Sequence, residues 1–331
     1  MKRTMFFFAL AIANLPQPAT AAGCITYPSN QPASTFPSLN GRLLYQTSAS
    51  DNSSQLFMLD FATKKVTQLS SASWGLTNPL NAVFNVDGDW ITFMGVQNGA
   101  TNIFMYEIGS TSAPVNLTNS FGSTKNEDPK FSANGTEIFF KQTSWPTGTA
   151  TYSIKVAPLL WSNGVPALGT LQTLVPPNAA IQSSMPFPSP DSSTLFYSAI
   201  SNKITTVRSM PINPVGFAKY IDGNGVEPAF YPIVRNDGAV FYTKTIPNES
   251  DQILMRAAGA NRSTIPSFND CKSDNEDAAP VNGTNYVFFS STTAGGLQLY
   301  LGDAATGKRW TLTPYGVNGD TTVGKLGSSY R

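Results

Sequence analysis

Oxygen-bearing side chains recur in short polar segments along this 331-residue chain, and they are its best candidates for binding chemistry. The candidate ligand-binding residues are Trp74, Asn78, Glu127, Asp128, Glu227, Asp274, Glu276, Asp277 and Asp320. Carboxylates and amides gathered in one cup would bind a cationic peptide end, a sugar or a metal ion. Oxygen atoms as metal ligands favour calcium over transition metals. Calcium is therefore the only metal ion that would fit, and no other cofactor is expected. The alternative is that these residues cap turns, which is the usual role of Asn and Asp in loops.

Catalysis is a second interpretation of the same segments. The chain contains no histidine, which excludes serine–histidine and cysteine–histidine triads and every histidine-ligated metal site. Two carboxylates about 5 to 9 Å apart could perform glycosidic acid–base chemistry, and the candidate pairs are Glu127 or Asp128 with Glu227 or Glu276. The residues able to act as a base in a lyase are Tyr231, Tyr242, Lys141 and Lys244. The two lysines occupy the same place in their sequence repeats, at the far end of a strand, and we expect both to point into solvent.

The charge balance excludes two classes of partner. Lysine and arginine number 21 and aspartate and glutamate 20, so the formal net charge is +1. A surface this close to neutral has no long-range attraction for nucleic acid or for anionic lipid. We therefore expect a protein or glycan ligand, no nucleic acid, no membrane insertion and a monomeric protein.

The first 22 residues have the pattern of a secretory signal peptide. Lys2 and Arg3 precede an apolar run at 5–13, and the small residues 19–22 follow it. The predicted cleavage is after Ala21 or Ala22. The apolar run is about nine residues long, whereas a membrane span needs about twenty, so a membrane anchor is the weaker alternative. The pattern predicts export to the periplasm or the exterior.

Two cysteines, Cys24 and Cys271, are present. In an exported protein such a pair predicts a disulfide. The alternative is a lipoprotein of the outer surface, acylated at Cys24, because small residues directly precede that cysteine. The leucine that usually lies three residues before a lipidated cysteine is missing, and Cys271 would then be left without a partner.

One pattern, a turn dipeptide followed by an apolar strand, occurs six times. The second turn residue lies at positions 41, 88, 135, 192, 238 and 283, so the copies are 47, 47, 57, 46 and 45 residues apart. Asn-Gly and Asp-Gly favour turns with positive φ, which join two antiparallel strands directly. A second apolar segment follows most of these turns, as at 55–60 and 102–107, and a short final strand comes after it.

Each unit is therefore predicted to be a four-stranded antiparallel meander of about 45 to 50 residues, the size of a propeller blade. The predicted fold is all-β: a six-bladed β-propeller formed by residues 23–331 as a single domain. The stretch 318–326 would supply the innermost strand that the first unit lacks, so the C-terminal strand would close the ring. An open array of β-sandwich sheets is the alternative. In a propeller the loops entering the innermost strands converge at one end of the channel, where the candidate residues would form an acidic mouth.

The segment 128–140, DPKFSANGTEIFF, resembles the repeat of TolB-like propellers, in which an acidic residue and proline lead into a Phe-Ser-Pro-Asp-Gly turn and an apolar strand. Residues 84–93 and 189–197 are further copies, and 102–105 looks like the third strand of the same repeat. The resemblance implies one of three roles: a periplasmic binding protein, the propeller lid of a prolyl-peptidase-type hydrolase, or a lyase that acts on acidic sugars.

The enzymes among these relatives fit this sequence poorly. The hydrolases carry a second α/β domain with a nucleophile and a histidine, and the lyases hold a metal with histidines, for which this sequence has no counterpart. We therefore expect an exported, non-enzymatic binding or scaffold propeller that recognises a protein or glycan at the acidic mouth of its channel. The alternative is a polysaccharide-active lyase or hydrolase that uses carboxylates with tyrosine or lysine.

Overall fold

The computed structural model describes residues 26–48, 53–122, 124–223, 227–247, 250–317 and 324–331, and these residues form six small β-sheets. No α-helix occurs in the described residues, which contain three short 3-10 helices at Ala33–Thr35, Ala72–Trp74 and Thr313–Tyr315. No helix in this described part of the chain is long and apolar enough to cross a bilayer. The sheets are the blades of a six-bladed β-propeller, as the repeats predict.

The strands are short, and the middle strands of the blades are buried over continuous runs, as in Ala100–Glu107, Val240–Thr245 and Gln298–Asp303. In chain order they are β1 (Ser29–Asn30), β2 (Arg42–Ser48), β3 (Gln55–Asp60), β4 (Lys65–Gln68), β5 (Thr77–Phe84), β6 (Trp90–Gln97), β7 (Ala100–Glu107), β8 (Val115–Asn116), β9 (Lys125–Phe131), β10 (Glu137–Ser144), β11 (Thr151–Ser162), β12 (Val165–Leu168), β13 (Gln172–Asn178), β14 (Ile181–Pro188), β15 (Thr194–Ser201), β16 (Ile204–Pro211), β17 (Lys219–Asp222), β18 (Ala229–Val234), β19 (Val240–Thr245), β20 (Asp251–Arg256), β21 (Asn275–Pro280), β22 (Tyr286–Ser291), β23 (Gln298–Asp303), β24 (Lys308–Thr311) and β25 (Gly324–Tyr330).

The C-terminal strand closes the ring. Blade 1 has the order β25-β2-β3-β4, so its innermost strand comes from the end of the chain and its other three strands come from the beginning. Leu44 of β2 lies opposite Ser329 of β25 in this antiparallel pair. Closure of this kind gives every blade a neighbour on both faces, and the strand edges that remain are short. The predicted closure is confirmed; the closing strand is Gly324–Tyr330, which begins within the predicted stretch 318–326 and continues beyond it.

The remaining blades follow in chain order, and three of them depart from four strands. Blade 2 contains β5–β8 and blade 4 contains β14–β17. In blade 3 (β9–β13) the long strand β11 pairs with β13 along its first half and with β12 along its second half. Blade 5 (β18–β20) has three strands among the described residues, with an isolated bridge between Met255 and Thr264 beyond them. Blade 6 contains β21–β24, and β1 adds to its outer edge in parallel to β24.

Hydrophobic clusters lie at the six junctions between neighbouring blades. The cluster between blades 6 and 1, for example, packs Leu43 and Phe61 against Phe288. The other five junctions have clusters of the same kind. A single meander could not bury both of its faces, so it is the ring that gives every blade a partner on each side.

A bulge interrupts the innermost strand of every blade at the same level. Two residues of the innermost strand lie opposite one residue of the second strand. That opposing residue is a buried aromatic in all six blades: Tyr45, Phe93, Phe140, Tyr197, Tyr242 and Phe289. In blades 2 to 6 the first bulge residue has a positive φ; these residues are Asn81, Asp128, Met185, Tyr231 and Asp277. A bulge changes the direction in which a side chain leaves the strand. Here it turns the first bulge residues toward the channel.

The repeated turns lie where the sequence predicts them. Gly88, Gly135, Gly238 and Gly283 have positive φ and join the innermost strand of a blade to its second strand. Gly41 is different, because it precedes β2 and packs against the C-terminal strand. A Cβ atom at Gly41 would overlap the ring of Tyr330, so glycine is needed there for close approach.

Candidate binding site in the central channel

The channel is narrow at the level of the bulges. Each blade contributes one residue, its first bulge residue, to this constriction, which we call the neck: Asn81, Asp128, Met185, Tyr231, Asp277 and Gly327. The free volume at the neck is about 40 Å³. That space holds one or two water molecules and no larger ligand. The neck therefore divides the channel into two compartments.

Side chains from neighbouring blades hold the neck in place. The backbone N–H of Asn81 donates to Gln46 Oε1 at 2.6 Å, and that of Tyr231 donates to Ser198 Oγ at 3.0 Å. Asp128 links three blades, because one carboxylate oxygen accepts from Asn81 Nδ2 at 2.8 Å and the other from the Met185 N–H at 3.2 Å. Burial raises the pKa of Asp128, against the opposing effect of nearby lysines. These bonds make Asp128 a structural link between blades.

Asp277 and Tyr231 are neck residues whose side chains keep free hydrogen-bonding capacity. Neither the Asp277 carboxylate nor the Tyr231 hydroxyl forms a hydrogen bond with another described residue. Burial, and after it the charge of Glu276, raises the pKa of Asp277 well above its usual range. Burial likewise raises the pKa of Tyr231. Both groups face the small space of the neck.

A group of carboxylates lies where the loops enter the innermost strands, at the end of the channel that we call the acidic mouth. The members of this carboxylate cluster are Asp251, Asp274, Glu276 and Asp277. The N–H of Asp251 donates to Asp274 Oδ1 at 3.1 Å, which holds those two residues together. Burial, and then the charges of Asp251 and Asp274, raises the pKa of Glu276 to about 7. No lysine or arginine of the described chain forms an ion pair with any of the four.

On the other side of the neck the channel widens into a cavity of about 480 Å³, which we call the funnel. Its wall comes from all six blades, near the turns that join first and second strands. One residue from each blade, two places after the first bulge residue, contributes to it: Val83, Lys130, Phe187, Ile233, Ala279 and Ser329. Lys130 also lines the neck, so it lies at the narrow end of the funnel. No Asp or Glu among the described residues lines the funnel.

Comparison with known proteins identifies the fold. No family model matches the chain, and no curated protein matches it either. Among solved structures, TolB from Acinetobacter baumannii is 12% identical, with a TM-score of 0.65 over 88% of this chain and 68% of that chain. The chain has the fold of a TolB-like propeller. The resemblance that the repeats predicted is therefore confirmed as a likeness of fold.

The same fold occurs in proteins with different roles. A chain of a nidogen/laminin complex is 9% identical to this TolB-like propeller, with a TM-score of 0.57 over 88% of this chain and 97% of that chain. A puromycin-hydrolyzing peptidase of Mycobacterium tuberculosis is 16% identical, with a TM-score of 0.53 over 86% of this chain and 50% of that chain. Function must therefore be argued from the channel of this propeller and not from its fold.

Two of the predicted site residues are neutralised by lysines. Glu127 pairs with Lys141 at 2.8 Å, and Glu227 pairs with Lys244 at 2.9 Å. The expectation that these lysines point into solvent is wrong, since Lys141 is 8% exposed and Lys244 is 5% exposed. The reason is register: the second strand lies beside the innermost strand, and Lys141 is directly opposite Glu127. The pattern of apolar and polar residues along one strand does not show which residue of the neighbouring strand lies opposite a given side chain.

Lys244 belongs to a larger buried network. Its ammonium group also pairs with Asp222 at 2.9 Å. The Tyr242 hydroxyl donates to the other oxygen of Asp222 and lies 2.6 Å from Ser263 Oγ. Three of the four candidate bases, Lys141, Lys244 and Tyr242, are thus held by partners inside the propeller.

The other predicted residues have varied positions. Trp74 is buried in the core between blades 1 and 2, where its ring lies 4.7 Å from that of Tyr106. Asn78, at the start of β5, has a positive φ, and its Oδ1 atom is buried without a partner among the described residues. Asp320 lies outside the described residues. Asp251 and Lys130 were not predicted as site residues, although Lys130 directly follows the Asp-Pro pair of its repeat and is the sole charged residue at that repeat position.

The cysteine and calcium predictions remain predictions. Cys24 lies outside the described residues, while Thr26, two positions later, has its Oγ1 3.0 Å from the Sγ of Cys271. The N-terminal segment therefore passes beside Cys271. Among the described residues no group of three or more carboxylate or cysteine side chains is arranged to hold a metal ion.

Proposed function

We propose that this TolB-like propeller is an exported, non-enzymatic binding protein that recognises a basic segment of another protein at its acidic mouth. The observation that carries the proposal is the carboxylate cluster, whose four members form no ion pair with a lysine or arginine of the described residues. Charges of one sign that are held together and partly shielded from water attract a ligand of the opposite sign. A lysine or arginine side chain would supply the missing cation.

The geometry favours binding over the alternative of a polysaccharide lyase or hydrolase. A lyase needs a base that is free to take a proton, yet Lys244 and Tyr242 are bonded within the Asp222 network. Glu127 and Glu227, the carboxylates proposed for acid–base chemistry, are both ion-paired. Tyr231 remains, and its burial in the neck raises its pKa, which makes it a poor base.

A protein ligand fits this mouth better than a glycan. Trp74, the aromatic residue predicted to line it, is buried in the core and cannot stack on a sugar ring. Trp145, on the β10–β11 turn, is 41% exposed and would be the stacking residue if a glycan bound. The nidogen/laminin complex contains a propeller of the same fold, so this architecture is compatible with a protein partner.

The proposal that the protein is exported rests on the signal-peptide pattern at residues 1–22. This pattern predicts a location in the periplasm or outside the cell.

Binding at the acidic mouth is expected to depend on pH. The pKa of Glu276 is about 7, so its carboxylate is charged at about pH 8 and protonated at about pH 5.5. A cationic ligand binds the charged form, and its affinity therefore falls as the pH falls. For a fluorescent tetralysine peptide followed by anisotropy, Glu276→Gln should weaken binding about fivefold at the higher pH and reduce the dependence on pH.

Two controls test this expectation. Tetraglutamate should not bind, and Glu107→Gln, which changes an exposed glutamate at the end of β7, should leave tetralysine binding unchanged. Equal affinity of the native protein and Glu276→Gln at both pH values would rule out the acidic mouth as the binding site. Release of unsaturated sugars from acidic polysaccharides would instead support the lyase.

The Cys24–Cys271 disulfide is a separate expectation. Protein purified after export should take up no iodoacetamide until it is reduced, and it should then take up two groups by intact mass. Labelling of Cys271 before reduction would contradict the pairing. An added acyl mass on Cys24 would support the lipoprotein alternative.

A further inference from the structure

We propose that the funnel is a second binding site, which takes the C-terminal segment of a polypeptide and pairs its terminal carboxylate with Lys130. The funnel and the acidic mouth lie on opposite sides of the neck, so this site does not depend on the function proposed for the mouth. Its volume of about 480 Å³ is that of an ordinary ligand pocket.

The repeat itself identifies Lys130 as exceptional. At the equivalent position the other five blades carry uncharged residues: Val83, Phe187, Ile233, Ala279 and Ser329. The propeller therefore closes and packs without a charge at this position. A lysine placed here loses much of its hydration, which is a cost that the fold alone does not require.

The ammonium group of Lys130 has no direct partner. It forms no hydrogen bond with the described residues, and no carboxylate of theirs lies within ion-pair distance. The nearest acidic residues in the neck are Asp128, whose oxygens are bonded to Asn81 and Met185, and Asp277. Burial lowers the pKa of Lys130 to about 8, against the opposing effect of those two carboxylates. An incoming carboxylate would supply a direct partner.

The rest of the wall suits a peptide. Apolar side chains, among them Phe84, Phe131 and Phe187, line the funnel together with three asparagines. The side-chain oxygen of Asn85 accepts from the Trp90 N–H at 3.0 Å, and that of Asn282 accepts from the Asn236 N–H at 3.0 Å. Their amide NH2 groups have no acceptor among the described residues and are free to bond to peptide carbonyls. A fatty acid has a carboxylate but no carbonyls for these donors.

The test compares two peptides that differ in one group. Dansyl-Gly-Val-Val-Phe with a free C-terminal carboxylate and the same peptide with a C-terminal amide are titrated into the purified full chain. The free acid should bind about tenfold more tightly than the amide. Equal affinity of the two peptides, or binding of neither, would overturn the proposal, and this arm requires no variant.

Variants locate the contact. Lys130→Met should abolish the preference for the acid, Lys130→Arg should retain part of it, and Lys308→Met, at an exposed position of β24, should have no effect. If Lys130→Met loses thermal stability but keeps the preference, Lys130 is a counter-ion of the neck and the proposal is wrong. Decanoate that competes as well as the peptide would overturn the assignment of a polypeptide as the occupant.

Discussion

Replacement of Lys244 by alanine is expected to lower the free energy of unfolding by about 3 kcal/mol, because it removes the cation that pairs with two partly buried carboxylates. Lys244 Nζ lies 2.9 Å from Asp222 and 2.9 Å from Glu227, and its side chain is 6% exposed. Partial burial removes water from the two carboxylates, which costs free energy. The lysine charge offsets this cost in the native protein, and the variant loses that compensation. Urea denaturation monitored by tryptophan fluorescence measures the loss.

The matched control is Lys65→Ala, which removes an exposed lysine from β4 and should change stability by less than about 0.5 kcal/mol. A second comparison separates charge from packing. In a background carrying Asp222→Asn and Glu227→Gln, the loss caused by Lys244→Ala should be smaller, since neither partner of the lysine then carries a charge. A loss of the same size in both backgrounds would mean that the lysine stabilises the blade through its hydrocarbon chain and not through its charge.

Phe289→Ala is expected to lower the free energy of unfolding by about 3 to 5 kcal/mol, the range for a large buried aromatic side chain. Phe289 has no exposed surface and lies opposite the bulge of blade 6. Its ring centroid is 4.8 Å from that of Phe268 and 5.7 Å from that of Tyr300, so alanine would leave a cavity at the junction of blades 5 and 6.

Phe217→Ala is the control for this variant, because Phe217 is 93% exposed and its removal should leave stability nearly unchanged. Thermal and urea unfolding of the two variants give the comparison. Because Phe289 lies opposite Asp277 and Ala278, its loss should also disturb the neck. Equal stability of the two variants would show that the aromatic residues opposite the bulges do not support the ring.

The two ends of the channel differ in charge. Four carboxylates from blades 5 and 6 lie at the acidic mouth, whereas the described side chains that line the funnel include Lys130 and Arg331 and no Asp or Glu. The neck between them is too small for a chain to pass. Ligands at the two ends would therefore be chosen by opposite charges and would not compete for the same space.

The sequence alone determined the architecture. The six turns at 41, 88, 135, 192, 238 and 283 predict six blades, and the strand predicted at 55–60 is β3, Gln55–Asp60. These signals are local, because a turn dipeptide and an alternating apolar strand are encoded within about ten residues. The closing strand was predictable as well, since the first unit lacked an innermost strand and the chain continued beyond the last unit.

The tertiary structure alone decided which residues meet. Glu127 and Glu227 belong to the predicted site, but the pairing of the first and second strands within each blade brings each of them to a buried lysine. Asp277 and Lys130 reach the channel because a bulge turns the innermost strand toward it, and repeat patterns do not show the direction of that turn. Pairings across strands and between blades are contacts between residues far apart in the chain. A local pattern places a residue on a strand, and the closed ring determines what that residue faces.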